Sequence, residues 1–157
     1  MDTPQPKVLA IHVAPERGGP LVALEQAKLV PGRGIEGDHH HARPNGDPAS
    51  EVTLIEAETV EAFNGDTGLQ IEAAETRRNI VTEGVDLNHL VGKRFAIGDT
   101  LLEGIEPCDP CASLGRRLAT GSVSAPSIVR ELANRGGLRA RVVEGGTVTP
   151  GAQIRLD

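Results

Sequence analysis

Apolar and polar positions alternate through several short stretches of the chain, and helical spacing shows in few places. Val8 to Val13 (VLAIHV) is apolar and β-branched, which predicts a strand closed by the turn-rich APERGGP. LVALEQAKLV is ambiguous, because Leu21, Leu24 and Lys28 have helical spacing and periodicity alone favours a helix. The polar stretch from Arg33 to Ser50 reads as a long loop, and a loop of that size inside a compact domain is usually functional or mobile.

Val52 to Ile55 reads as a strand, and EAETVEAFNG as a helix stopped by Asn64-Gly65. RRNIVTEG predicts a short strand ending at Glu83-Gly84, and VDLNHLVG a turn of helix or a tight loop closed by Gly92. Two apolar runs around Gly98-Asp99 in KRFAIGDTLLEGIE predict a β-hairpin, whose second strand leads into EPCDPC. SAPSIVRELANRGG reads as a helix between Ser-Ala-Pro and Gly-Gly, and LRARVVE and AQIRLD as a closing pair of strands. Many short strands and two or three short helices predict a mostly β barrel or sandwich with helical decoration, in one domain over residues 1–157.

Composition narrows the function. With 157 residues and two aromatic side chains, Phe63 and Phe95, the core must be built from Val, Ile, Leu and Ala. A net charge of −6 argues against a nucleic-acid partner, while the pairs Arg77/Arg78, Lys93/Arg94 and Arg116/Arg117 leave room for a local pocket for a small anion. No cationic segment precedes a long apolar run, so a cytoplasmic protein without a membrane partner is expected. No glycine-rich nucleotide motif and no internal repeat occur.

Both cysteines, Cys108 and Cys111, lie in one CxxC, each after a proline that stiffens the loop. In a reducing cytosol such a pair is a ligand, a redox pair or a nucleophile more often than a staple. Four readings stand: half of a zinc site completed by the His39-His40-His41 run, a thioredoxin-like pair, one soft thiolate ligand, or two small buried hydrophobes. A thioredoxin-like pair belongs at a helix start in a βαβ unit, and the hairpin pattern here disfavours it. Adjacent histidines do not all point at one site, so at least two of the three read as solvated and one as a proton donor or anion partner. Asp38 reads as an organiser of its loop. Arg77-Arg78-Asn79 combines guanidinium forks with an amide that both donates and accepts, a set suited to phosphate. Glu56, Glu58 and Glu61 read as a solvated helix face.

PGRGIEGDHH, then VTLIEAE, then ETRRNIVTEGVDLNHLVGKRFAIGDTLLEGIEPCDPC, from Gly32 to Cys111, resemble the MOSC domain, the module named for the C-terminal part of molybdenum cofactor sulfurases. The resemblance implies a MOSC-like β-barrel and a strand, not a helix, in LVALEQAKLV. It implies that Cys111 ligates molybdenum or carries sulfur, with Cys108 auxiliary. An RPNI-like motif of the amidoxime-reducing relatives maps onto Arg77 and Asn79 as cofactor contacts, with Arg78 where those relatives have proline. The family's Gly-Asp maps onto Asp38, followed here by His39 in place of arginine.

Two functions follow as expectations. In the first, the molybdenum cofactor is bound by Arg77, Asn79, Asp38, His39 and His40, the metal is held by Cys111, and an N-hydroxylated or related N–O compound is reduced with electrons from a separate reductase. In the second, Cys111 takes sulfur as a persulfide from a cysteine desulfurase, with Cys108 as its resolving thiol, or the domain carries the cofactor for delivery. The relatives' extra N-terminal β-barrel and pyridoxal phosphate desulfurase domains have no counterpart in this sequence, so pyridoxal phosphate is not expected. A zinc-stabilised barrel is the third reading.

Overall fold

Alternating apolar residues become strands throughout the computed structural model, which describes residues 5–156. In chain order the first half holds β1 (Lys7–Val13), β2 (Val22–Ala23), β3 (Ala27–Val30), β4 (Gly34–Ile35), α1 (His39–Ala42), β5 (Val52–Glu56), α2 (Ala57–Thr67) and β6 (Ile80–Glu83). The second half holds β7 (Arg94–Ile97), β8 (Thr100–Pro107), α3 (Ala112–Leu118), α4 (Ala125–Leu132), β9 (Leu138–Glu144), β10 (Gly146–Val148) and β11 (Ile154–Leu156). Short 3-10 turns at Pro48–Ser50, Ala73–Thr76 and Leu87–Leu90 join them.

Eight strands form one curled sheet in the order β11-β7-β8-β9-β5-β6-β1-β2. Its pairings are antiparallel except β5 with β6, which α2 joins as a crossover. The sheet then meets itself: Lys7 bridges Gln153, the Val8 N–H donates to Ala152 O at 2.9 Å, and the Ile154 N–H donates to Pro6 O at 2.9 Å. These bonds tie the start of β1 to the chain entering β11, giving the barrel-like, mostly β architecture expected from the sequence. Val8, Leu54, Ile80, Phe95, Ile97, Leu102 and Leu138 fill the interior, each fully buried. A second sheet, β10-β3-β4, adds Ala27, Leu29, Ile35 and Val148 to the same core.

A separate apolar cluster joins the helices: Phe63 of α2, Leu114 and Leu118 of α3, and Ile128 and Leu132 of α4. Close approach of α3 and α4 needs Gly115, since a Cβ there would stand 2.7 Å from the Ala125 carbonyl oxygen. Cap chemistry starts α4, where Ser124 Oγ accepts from the Ser127 N–H at 3.3 Å.

Several local expectations are corrected. LVALEQAKLV is β2 and β3, as the family resemblance implies and periodicity does not. α2 runs past Asn64-Gly65 and ends at Gly68 in the left-handed region, because the Asn64 side chain is bonded to both Ile71 N–H and Ile71 O instead of terminating the helix. LRARVVE and AQIRLD do not pair: β9 lies between β8 and β5, and β11 lies on β7. Arg33 to Ser50 is not a bare loop, since it contains β4, α1 and a 3-10 turn. A helix absent from the sequence reading, α3, begins at Ala112 with Cys111 as its N-cap residue.

Candidate functional site

Strand register sets the floor of the site. Ile11, Ile80, Leu54 and Leu138 pair in line across β1, β6, β5 and β9, all facing the core. One residue along, the pleat turns His12, Asn79, Thr53 and Arg139 to the outer face, and Arg139 pairs in turn with Glu106 of β8. Side chains lock the row: Asn79 Oδ1 accepts from Thr53 N–H at 3.0 Å and Thr53 Oγ1 at 3.1 Å, and its Nδ2 donates to His12 O at 3.1 Å. A backbone N–H only donates and a carbonyl only accepts, so this network fixes the amide's orientation.

A cavity of about 1000 Å³ opens over Asn79, Thr53 and Arg139 of this row. One wall is the loop after β1, from Ala14 to Gly18; the other is α1 with Arg43, Asn45 and Ser50. Asp38, only 7% exposed, joins the two walls: its Oδ1 accepts from Ala14 N–H at 2.9 Å and its Oδ2 from His40 N–H at 3.2 Å, which caps α1. The His39 N–H also donates to Ala14 O, at 2.8 Å, and His39 Nδ1 lies 3.1 Å from that carbonyl. Only the Nδ1–H tautomer satisfies that contact, which leaves Nε2 as the ring's open atom. His39 and His40 both line the cavity, whereas His41 does not. Two adjacent histidines therefore serve one cavity, where the sequence suggests one, because α1 separates them by only a third of a turn.

The lining is rich in guanidinium groups: Arg17, Arg43, Arg77 and Arg139, against the carboxylates Glu16 and Asp38. Arg77 has a left-handed backbone, φ 65°, and its Nη2 donates to Gly19 O at 2.7 Å. Burial holds its pKa below the usual arginine value, and the neighbouring Arg117 lowers it further while Asp38 opposes both. Arg117 donates to the adjacent carbonyl, Gly18 O, at 3.1 Å. Arg17 and Arg43 are exposed and form no ion pair among the described residues.

Beside this cavity, the cysteine turn is held through Arg78. Its Nε donates to Gly136 O at 2.9 Å, and its Nη2 and Nη1 reach Cys108 O at 3.3 Å and Thr76 O at 3.4 Å. Gly136 is required here, because a Cβ would overlap the Cys108 carbonyl oxygen. Cys108 is 1% exposed, whereas Cys111 is exposed and both thiols are free. The Cys111 sulfur closes no cap hydrogen bond, yet its pKa is lowered, first by the Leu114 amide, with the Ser113 amide and the Arg78 charge adding to it against burial.

The structure thus brings together Asp38, His39, His40, Arg77 and Asn79 on one cavity, and places Cys108 and Cys111 outside its lining. The cysteine turn follows β8 directly, two residues after Glu106, the row partner of Arg139. No group of three or more His, Cys, Asp or Glu side chains is placed to hold a metal among the described residues. The zinc reading loses its donor set, since the histidine run and the CxxC are not assembled together. Glu58 and Glu61 are exposed, as expected of a solvated helix face, with Glu58 accepting from Gly84 N–H at 2.8 Å, whereas Glu56 is half-buried, lies 3.4 Å from Leu87 N–H and has its pKa raised by burial. The sequence reading missed Arg17, Arg43, Arg139 and Thr53. Arg139 carried one usable signal, the alternation Leu138, Ala140, Val142 against Arg139, Arg141, which sets the arginines opposite the core face.

The MOSC domain family model matches residues 38–155. Among solved structures, the YuaD protein from Bacillus subtilis has 19% identity and a TM-score of 0.83, covering 96% of this chain and 94% of that one. YiiM from Escherichia coli has 20% identity and a TM-score of 0.70, with 96% of this chain and 69% of that one covered. YiiM from Geobacillus stearothermophilus has 16% identity and a TM-score of 0.72, with 97% and 75% covered. No curated protein matches the sequence. At these identities the structures speak for the fold, and the family model spans well over half of the chain. The chain belongs to the MOSC domain family.

Proposed function

We propose that the arginine-lined cavity binds the phosphate-bearing pterin of the molybdenum cofactor and that the Cys111 thiolate ligates the metal. The observation that carries this reading is four arginines on one cavity of a chain with net charge −6, since guanidinium forks concentrated against the overall charge serve an anion. The donor chemistry fits: an exposed thiol with a lowered pKa is a soft ligand suited to a transition metal. Arg77, His39 and His40 would hold the phosphate. Asn79 would offer its remaining amide hydrogen, and Asp38 would act through the loop it ties. When bound, the cofactor supplies a two-electron reduction that takes an N-hydroxylated compound, two protons and two electrons to the amine and water. A separate reductase in the cytosol would deliver the electrons. The protein's share is to orient the cofactor and shield it from water.

Exposure of Cys111 also favours a second reading, in which this thiol carries sulfur from a cysteine desulfurase. Cys108, at 1% exposure, is shielded from the donor, so Cys111 is the thiol that receives the sulfur. Molybdenum analysis on anaerobically purified wild type and Cys111→Ala, after incubation with the cofactor, separates the two. Near-stoichiometric metal in the wild type alone supports the cofactor reading. Absence from both proteins, with sulfane sulfur found on Cys111 after exposure to a desulfurase, replaces it with the carrier.

A further inference from the structure

The cavity has two cationic ends. At one end Arg77 sits just before β6, bonded to Gly19 O, with Arg17 on the same loop. At the other, Arg139, the second residue of β9, reaches Ala49 O of the segment that also supplies Arg43, Asn45 and Ser50 to the cavity. Register gives the span of the floor between them. From Asn79, two residues after Arg77 and immediately before β6, across Thr53 on β5 to Arg139 on β9 are two inter-strand steps, about 10 Å from backbone to backbone at the usual strand spacing. One phosphate is far too small to bridge that distance.

The second end is weakly committed within the protein. Arg139 reaches Ala49 O at 3.4 Å and Glu106 at 4.0 Å, both long for a guanidinium. Arg43 has no ion pair among the described residues. Arg139 thus has one long carboxylate partner and Arg43 none among the described residues, and the Asp38 carboxylate is turned toward the Ala14 and His40 amides.

We propose that Arg139 and Arg43 form a second anion-recognising end, so that the cavity takes contents with two anionic groups about 10 Å apart. This rests on the cavity being an anion site, as proposed above, and adds a specificity: with the cofactor phosphate at the Arg77 end, the compound processed beside Cys111 is itself a carboxylate or phosphate. Arg139 suits that role because it lies one strand from Glu106, two residues before the cysteine turn.

Calorimetric titration at low salt with fructose 6-phosphate and fructose 1,6-bisphosphate tests it on the intact protein. The bisphosphate is expected to bind at least about tenfold more tightly, since its second anion binds from a high effective concentration. Arg139→Gln and Arg43→Gln should each erode that advantage and leave the monophosphate within about twofold of wild type, whereas Arg77→Gln should weaken both ligands. Equal affinities for the two sugars, no bisphosphate binding at millimolar concentration, or an Arg139→Gln effect of the same factor on both would overturn the inference. Molybdenum loading of Cys111 with equal sugar affinities sinks this inference alone. A bisphosphate preference without molybdenum loading sinks the cofactor reading alone.

Discussion

Replacing Arg78 by glutamine removes a side chain that ties the cysteine turn to the entry of β6. Its guanidinium makes one short bond, 2.9 Å to Gly136 O, and two long ones, 3.3 Å to Cys108 O and 3.4 Å to Thr76 O. A charge-assisted bond is worth about 1.5–3 kcal/mol and the long ones less, and glutamine can restore one neutral bond, so a net loss of about 2–3 kcal/mol is expected. For a domain of this size that corresponds to a fall in Tm of about 5–10 °C. The charge has a second effect, because it helps lower the Cys111 pKa; without it, the pH profile of Cys111 alkylation by iodoacetamide moves to higher pH. Arg78→Lys separates the two effects, keeping the charge and losing the fork, so its Tm falls while its alkylation profile stays near wild type. An Arg78→Gln protein with the wild-type alkylation profile would refute the electrostatic part, and an unchanged Tm the structural part.

Glu51, 6% exposed, accepts with one oxygen from Gly32 N–H and Val142 N–H, both at 3.1 Å. Glu51→Ala strands both amides and should cost about 2–4 kcal/mol, read as a Tm loss of about 5–10 °C, with Glu51→Gln losing less than half as much because an acceptor oxygen remains. His12 is held neutral by burial, which lowers its pKa from 6.5, and its Nδ1 has no partner. The unfolded chain takes up the proton first, so this stabilisation is complete above pH 6.5 and is lost as pH falls toward the folded-state pKa. Calorimetry from pH 8 to 5 should show a steeper fall in Tm for wild type than for His12→Gln; parallel curves would dismiss His12 as the titrating group.

Local chemistry made much of the architecture legible. Val8 to Val13, Val52 to Ile55 and the hairpin around Gly98 are strands because apolar and polar residues alternate over short runs between turn residues. α4 is a helix because Ser124 and Pro126 start it and Ile128 and Leu132 share a face. LVALEQAKLV misled because helical spacing over so few residues coincides with strand pairing, and pairing to β1 and β10 decided it. α3 escaped notice because its short ASLGRRL has large apolar side chains only at Leu114 and Leu118, and its stability comes from packing on α4.

At the site, the sequence by itself determined which residue types were available: a CxxC between prolines, a Gly-Asp-His-His run and an Arg-Arg-Asn opening a strand, all read as candidates because their chemistry is local to the side chain. Tertiary structure alone decided what they face. Arg77 turns to the cavity and Arg78, its neighbour, to the cysteine turn. Cys108 is buried and Cys111 is not, although both follow a proline. Arg139, 60 residues after Asn79 in the chain, joins it through Thr53 on the strand between them. Register across a curled sheet sets such neighbours, and register depends on the pairing of whole strands, which no local run of residues encodes.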